Sequence, residues 1–117
     1  MPQADVVVVG GGPAGAAAAI TLARAGRDVL VVDRARFPRD KCCGDGLTAG
    51  ALRELEDLGL RPGSVADWQP VDDVCVRGPS GHAVRFPLPR GDGLFAVVAP
   101  RAQLDAALVD VARAAGA

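Results

Sequence analysis

The 117-residue sequence predicts an α/β fold, and three features of its first third indicate it. The runs at 5–9 and 28–33 are rich in valine without polar alternation, which is typical of strands buried on both faces of a parallel sheet. Between them, residues 13–25 are rich in alanine and stop before Gly26, as a helix followed by a C-terminal glycine does. Together they predict a right-handed βαβ unit over 5–33.

The remaining segments predict shorter elements around this unit. Proline and glycine favour a loop after the second strand, and Thr48 is a favourable N-cap for the helix that follows. The predicted elements are a loop at 34–46, a helix at 48–58, an inserted β-hairpin at 71–88, a strand at 94–99 and an amphipathic helix at 101–115. Two parallel strands make a small core, so we expect residues 1–117 to be the N-terminal domain of a longer protein, truncated before a third parallel strand.

Composition disfavours several classes of function. A net charge of −1 and a pI near 5.7 argue against nucleic acid as a partner. Three cysteines and one histidine form no zinc-ligand pattern or disulfide framework, so we predict no metal site. Unpaired cysteines also predict that the protein is located in the reducing cytoplasm. The apolar stretch at 6–23 contains helix-breaking glycines, so we expect no transmembrane segment.

A glycine-rich turn follows the first strand and opens the first helix. Residues 10–15, GGGPAG, satisfy G-x-G-x-x-G. Gly10 permits the tight turn, Gly12 lets a pyrophosphate approach the backbone, and Gly15 lets the helix pack on the strand. Pro13 suits the first helical turn, whose free N–H groups favour phosphate. The sequence therefore predicts a Rossmann-like dinucleotide site.

Asp33 ends the second strand, 18 residues after Gly15. A carboxylate there can accept hydrogen bonds from the adenosine ribose and would repel the 2′-phosphate of NADP. We also expect Arg34 to lie near the adenosine, while the other basic residues of the loop stay solvated. Spacing alone leaves FAD and NAD open, although the long loop suits a flavin.

Two further segments resemble the geranylgeranyl reductase family of FAD-dependent oxidoreductases, within the larger aromatic-hydroxylase-like group. Residues 37–47, FPRDKCCGDGL, match the family pattern F-P-R-x-K-x-C-G-x-G-L, and residues 101–108 resemble its R-x-x-L/F-x-x-x-L helix. The similarity extends along the chain but covers only the first third or so of a family member. The family's second FAD motif, a later Gly-Asp segment, and its substrate domain are absent from this sequence.

The resemblance implies FAD as cofactor and several contacts with it. The pyrophosphate would lie at Gly10, Gly12, Pro13, Ala14 and Gly15, and the ribose at Asp33. The remaining contacts would come from Cys43, Gly44 and Gly46 in the loop and from Arg101 in the last helix. We expect Cys43 to contact the cofactor without a chemical role, because nothing near it in the sequence guarantees a lowered thiol pKa. Cys75 is predicted to be buried in a strand, and no catalytic side chain is assigned.

The chemistry that the resemblance implies is the reduction of an isoprenoid alkene by hydride transfer from reduced FAD, with NAD(P)H or a similar electron donor. Such a lipid substrate would give a cytoplasmic protein a peripheral membrane contact. One alternative is an FAD-dependent monooxygenase of the aromatic-hydroxylase type, acting on a small molecule. A non-enzymatic alternative is a truncated dinucleotide-binding module or an inactive relic.

Overall fold

The predicted βαβ unit opens the chain. A computed structural model describes residues 3–88 and 96–117. Strand β1 (Val6–Val9) leads through the glycine turn into helix α1 (Pro13–Arg24), and β2 (Val29–Val32) returns parallel to β1, with Val6 opposite Val29 and Val9 opposite Val32. The turn after α1 places Gly26 at φ +77°, a left-handed conformation that glycine adopts without a Cβ clash.

A second sheet is antiparallel and has three strands. Strands β3 (Gly46–Thr48) and β4 (Gln69–Pro70) pair with the two edges of β7 (Ala96–Val98), so the order is β3-β7-β4. Neither β3 nor β4 is predicted, because strands of two or three residues are too short to show an alternating pattern. Residues 94 and 95 of the predicted strand at 94–99 lie outside the described residues.

The inserted hairpin consists of β5 (Asp73–Arg77) and β6 (Ala83–Pro87). The connecting turn is closed by the N–H of Gly78, which donates to the carbonyl of His82 at 2.8 Å. The prediction that Cys75 is buried is wrong: the thiol is exposed, as are the valines on either side of it in β5. The physical reason is that no hairpin residue belongs to the core cluster, so neither face of this two-stranded ribbon is covered by the described part of the chain.

Two more helices complete the described fold. Helix α2 (Ala49–Asp57) begins at Thr48, whose hydroxyl accepts a hydrogen bond from the N–H of Ala51 at 3.3 Å. Helix α3 (Arg101–Ala115) ends at Gly116, in a left-handed conformation. Among the described residues, no helix is long and apolar enough to cross a membrane.

The core lies between α1, α3 and one face of the parallel pair. Ile20 and Leu108 are fully buried there, and Val8 packs against this core cluster from β1. The expectation of strands buried on both faces is wrong, since Val7 and Val9 are 55% and 84% exposed. Their side chains alternate with Val8 to the opposite face, which no described element covers.

Candidate cofactor site

The glycine turn has the backbone that a phosphate site needs. Gly10 has φ +103°, and its N–H donates to the carbonyl of Val32 at 2.7 Å, which closes the turn against β2. Gly12 is the N-cap of α1, and among the described residues no side chain caps this helix. The first-turn N–H groups after Pro13, including that of Ala14, therefore remain available to an anion.

Gly15 packs against the strand more closely than any other residue could. A Cβ built on Gly15 would lie 1.8 Å from the carbonyl oxygen of Gly10 and 3.3 Å from a methyl of Val8. Glycine is therefore required here to bring α1 against β1, as the sequence predicts. A side chain at this position would also displace the Gly10 carbonyl and so disturb the turn.

Asp33 is tied to the turn from the end of β2. Its Oδ2 accepts from the N–H of Gly11 and its Oδ1 accepts from the N–H of Ala35, both at 2.7 Å. The Gly11 bond, followed by the Ala35 bond, lowers the pKa of the carboxyl, so the group is ionised at neutral pH. Each oxygen keeps a lone pair for a ribose hydroxyl.

Two arginines flank the turn, and one of them is not predicted. A Cβ built on Gly12 would lie 3.7 Å from Nη2 of Arg39 and 4.0 Å from Nη2 of Arg101. Both guanidinium groups contact the carboxylate of Asp105, which is 0% exposed. The expectation that Arg39 is solvated is therefore wrong. Asp105 could have been noticed as an acid on the apolar stripe of α3, between Leu104 and Leu108.

Cys43 lies next to Arg101 at the other end of the loop. The N–H of Asp45, then the hydrogen bond with the Arg101 side chain, lower the pKa of this thiol, and desolvation opposes them. The sequence alone does not show the Arg101 contribution, because Arg101 is distant in the sequence and becomes adjacent to Cys43 only in the fold. That Cys43 contacts the cofactor without a chemical role stays a prediction. A lower pKa raises the fraction of Cys43 that is present as the nucleophilic thiolate at neutral pH.

Most of the predicted residues line two cavities on either side of the turn. Gly10, Asp33 and Arg34 line an open cavity of about 750 Å³ at the carboxyl ends of the parallel strands. Another cavity, of about 290 Å³, lies between α1 and α2 and is lined by Pro13, Cys43, Gly46 and Arg101. The predicted residues that line neither cavity are Gly12, Ala14, Gly15 and Gly44. A Cβ on Gly44 or Gly46 would meet nothing within 4 Å. The predicted residues that line a cavity therefore fall into two groups, one at the carboxyl ends of the parallel strands and one between α1 and α2.

The parallel βαβ unit, the glycine turn and the acid at the end of β2 define a dinucleotide-binding protein. The family model described as "FAD binding domain" matches residues 3–116, so the chain belongs to this family. FAD is thus the cofactor, as predicted, and the residues present fit it: the turn leaves room and N–H groups for the pyrophosphate, and the arginines supply positive charge.

Similar proteins include reductases of isoprenoid compounds. The chain is 71% identical to menaquinone reductase of Mycolicibacterium smegmatis over 58 residues, 50% of this chain and 14% of that protein. It is 51% identical over 59 residues to digeranylgeranylglycerophospholipid reductase 1 of Methanopyrus kandleri, 50% of this chain and 15% of that protein. The chain thus spans a small part of these relatives.

A solved structure of a similar protein has the same fold as this chain. A geranylgeranyl bacteriochlorophyll reductase-like protein of Thermoplasma acidophilum superposes with a TM-score of 0.80 at 30% identity. The superposition covers 97% of this chain and 28% of that protein. The predicted α/β fold class with a Rossmann-like FAD-binding unit is therefore confirmed, as is the resemblance to geranylgeranyl reductases.

Proposed function

We propose that the complete protein is an FAD-dependent oxidoreductase that reduces a carbon–carbon double bond of an isoprenoid lipid. The observation that carries this proposal is the 71% identity to a menaquinone reductase, since menaquinone bears an isoprenoid chain. The similarity to a digeranylgeranylglycerophospholipid reductase supports the same substrate class. Menaquinone itself is our first candidate substrate.

The residues of this chain bind and orient the cofactor in this proposal. The turn from Gly10 to Gly15 holds the pyrophosphate, Asp33 the ribose, and Arg34 lies near the adenosine. The loop carrying Cys43, Gly44 and Gly46 contacts FAD farther along, beside Arg101.

When bound and reduced, FAD supplies a hydride to one alkene carbon, and a side chain or water supplies the proton to its neighbour. The two electrons that reduce the alkene would come, through the bound cofactor, from NAD(P)H or a similar donor. A lipid substrate also requires contact with a membrane surface, so we propose a cytoplasmic protein that binds membranes peripherally. Flotation of the protein with phospholipid vesicles measures this contact.

The proposed reaction is tested by the mass of the product. The complete polypeptide that the gene encodes is loaded with FAD and incubated without oxygen with menaquinone and either NADH or NADPH. The lipid is then extracted, exposed to air and analysed by mass spectrometry. Air reoxidises a reduced quinone ring but leaves a reduced side chain untouched, so we expect a product that keeps two additional hydrogen atoms.

Other products would overturn this proposal. A lipid that returns to its starting mass in air indicates ring reduction only. Gain of an oxygen atom, in a reaction that requires O₂, indicates the monooxygenase alternative. Absence of turnover by protein that binds FAD, with menaquinone and with a digeranylgeranyl lipid, favours a binding module. A Gly12→Glu variant, whose carboxylate would occupy the phosphate position, is the inactive control.

A further inference from the structure

Asp105 is a buried acid that is not among the predicted cofactor-binding residues. Its side chain is 0% exposed in the middle of the apolar face of α3. Oδ1 accepts from Nε of Arg101 at 2.8 Å, and Oδ2 accepts from Nη2 of Arg101 at 2.9 Å and from Nη1 of Arg39 at 2.6 Å. A buried carboxylate is strongly unfavourable without such partners, so the three groups form one unit.

This unit joins two segments that are distant in the sequence. Arg39 comes from the long loop after β2, and it is 66 residues from Asp105. Its guanidinium also lies over the ring of Phe37, at 4.7 Å from the centroid, and that ring covers Gly11. The position of Arg39 is therefore set from two sides, by an aromatic face and by a carboxylate.

The two guanidinium groups meet at the glycine turn. Both reach within about 4 Å of the place where a Gly12 side chain would be. Their side chains are only 18% and 17% exposed. Each keeps N–H donors that Asp105 does not use, because a guanidinium has five. Arg101 also bonds Cys43, and Nη2 of both arginines borders the N-terminus of α1.

We infer that Asp105 is a positioning residue for the cofactor pyrophosphate, which holds Arg39 and Arg101 side by side as a two-arginine phosphate clamp at Gly12. This inference rests on the FAD site and does not depend on the identity of the substrate. Asp105 itself contacts no phosphate in this arrangement. Its effect is to fix the direction of the guanidinium donors.

Charge alone does not explain an acid at this position. Asp105 cancels one of the two positive charges beside the turn, so simple Coulomb attraction predicts that its neutralisation tightens phosphate binding. Positioning predicts the opposite, because each arginine loses a charge-assisted hydrogen bond and becomes free to turn away. The sign of the change therefore separates the two explanations.

The experiment compares ADP with adenosine on the flavin-free complete protein, by isothermal titration calorimetry. For Asp105→Asn we expect the Kd of ADP to rise by at least about tenfold and that of adenosine to stay unchanged. Asp110→Asn is the matched control, since Asp110 is an exposed acid of the same helix that pairs with Arg113 at 3.2 Å. We expect this control to bind both ligands as the unmodified protein does.

Two results with Asp105→Asn would overturn the inference. Unchanged or tighter ADP binding would show that only charge matters. An equal loss of ADP and adenosine binding would show that Asp105 merely ties the loop to α3.

A second variant keeps the test valid if Asp105→Asn does not fold. Arg39→Gln leaves Asp105 paired with Arg101 through two hydrogen bonds. We expect Arg39→Gln to weaken the binding of ADP but not that of adenosine. We expect Arg39→Lys to recover part of the lost ADP affinity. ADP binding by Arg39→Gln that equals the unmodified protein would overturn the inference.

Discussion

Replacement of Gly15 by alanine tests the close approach of α1 to the glycine turn. The added Cβ would lie 1.8 Å from the Gly10 carbonyl oxygen, whereas real Cβ atoms essentially never come within 3.0 Å of such a neighbour. The start of α1 and the Gly10 carbonyl must therefore move apart by at least 1.2 Å, the difference of these two distances. The obstacle is backbone at a closed turn, so no side-chain rotation relieves it.

The cost of this change follows from known overpacking effects. Inserting a methyl group into a tight site costs about 3 kcal/mol at the upper end of the usual range. Alanine regains up to about 1 kcal/mol over glycine in a helix. We therefore expect Gly15→Ala to lower the free energy of unfolding by about 2 kcal/mol. Because this separation also moves the N–H groups at the turn, FAD binding weakens as well.

Urea unfolding of the complete protein, with and without FAD, measures both effects. The matched control is Gly50→Ala, also in the first turn of a helix, where the nearest atom to an added Cβ is 4.0 Å away. This control gains helix propensity without a clash, so its stability rises by up to about 1 kcal/mol. A Gly15→Ala protein that is equally stabilised, or that binds FAD normally, would refute the reasoning.

Three further changes address the site. Gly12→Ala meets only ordinary contacts, so we expect less than about 1 kcal/mol of destabilisation but clearly weaker FAD binding, and calorimetry that finds both unchanged argues against the phosphate position. For Asp33, the hydrogen bonds from Gly11 and then Ala35 lower the folded-state pKa. The stabilisation is complete above the unfolded pKa of about 3.9 and disappears as the pH falls through the lower folded value. Acid unfolding curves of Asp33→Asn should lack this part of the decline. For Cys43, alkylation by iodoacetamide followed by mass spectrometry should titrate below the ordinary thiol pKa, and Arg101→Gln should shift the curve upward; identical curves would exclude the pairing.

Local patterns predict the elements that depend on neighbours in the sequence. The βαβ unit, the Thr48 cap and the final helix each follow from residues within one or two turns, and the structure contains all three. The exposure of Cys75, and of Val7 and Val9, depends on what covers a sheet face, which no local pattern reports. The extension of one domain over residues 1–117 stays a prediction.

The cofactor site likewise contains contacts that sequence spacing predicts and contacts that only the tertiary fold creates. The glycine turn and Asp33 are adjacent through one βαβ unit, so spacing alone brings them together. Arg39 and Asp105 are joined only by the tertiary fold, and Cys43 meets Arg101 by the same packing of the loop against α3. The contacts of the predicted residues with FAD itself stay predictions.

The most direct test of the central claim is a crystal structure of the complete protein with FAD. We predict that the pyrophosphate lies at the N-terminus of α1, within hydrogen-bond distance of backbone N–H groups of the turn. Asp33 should contact the ribose hydroxyls, and guanidinium donors of Arg39 and Arg101 should border the phosphates. An FAD molecule bound elsewhere, or one whose phosphates lie away from Gly12, would contradict the account.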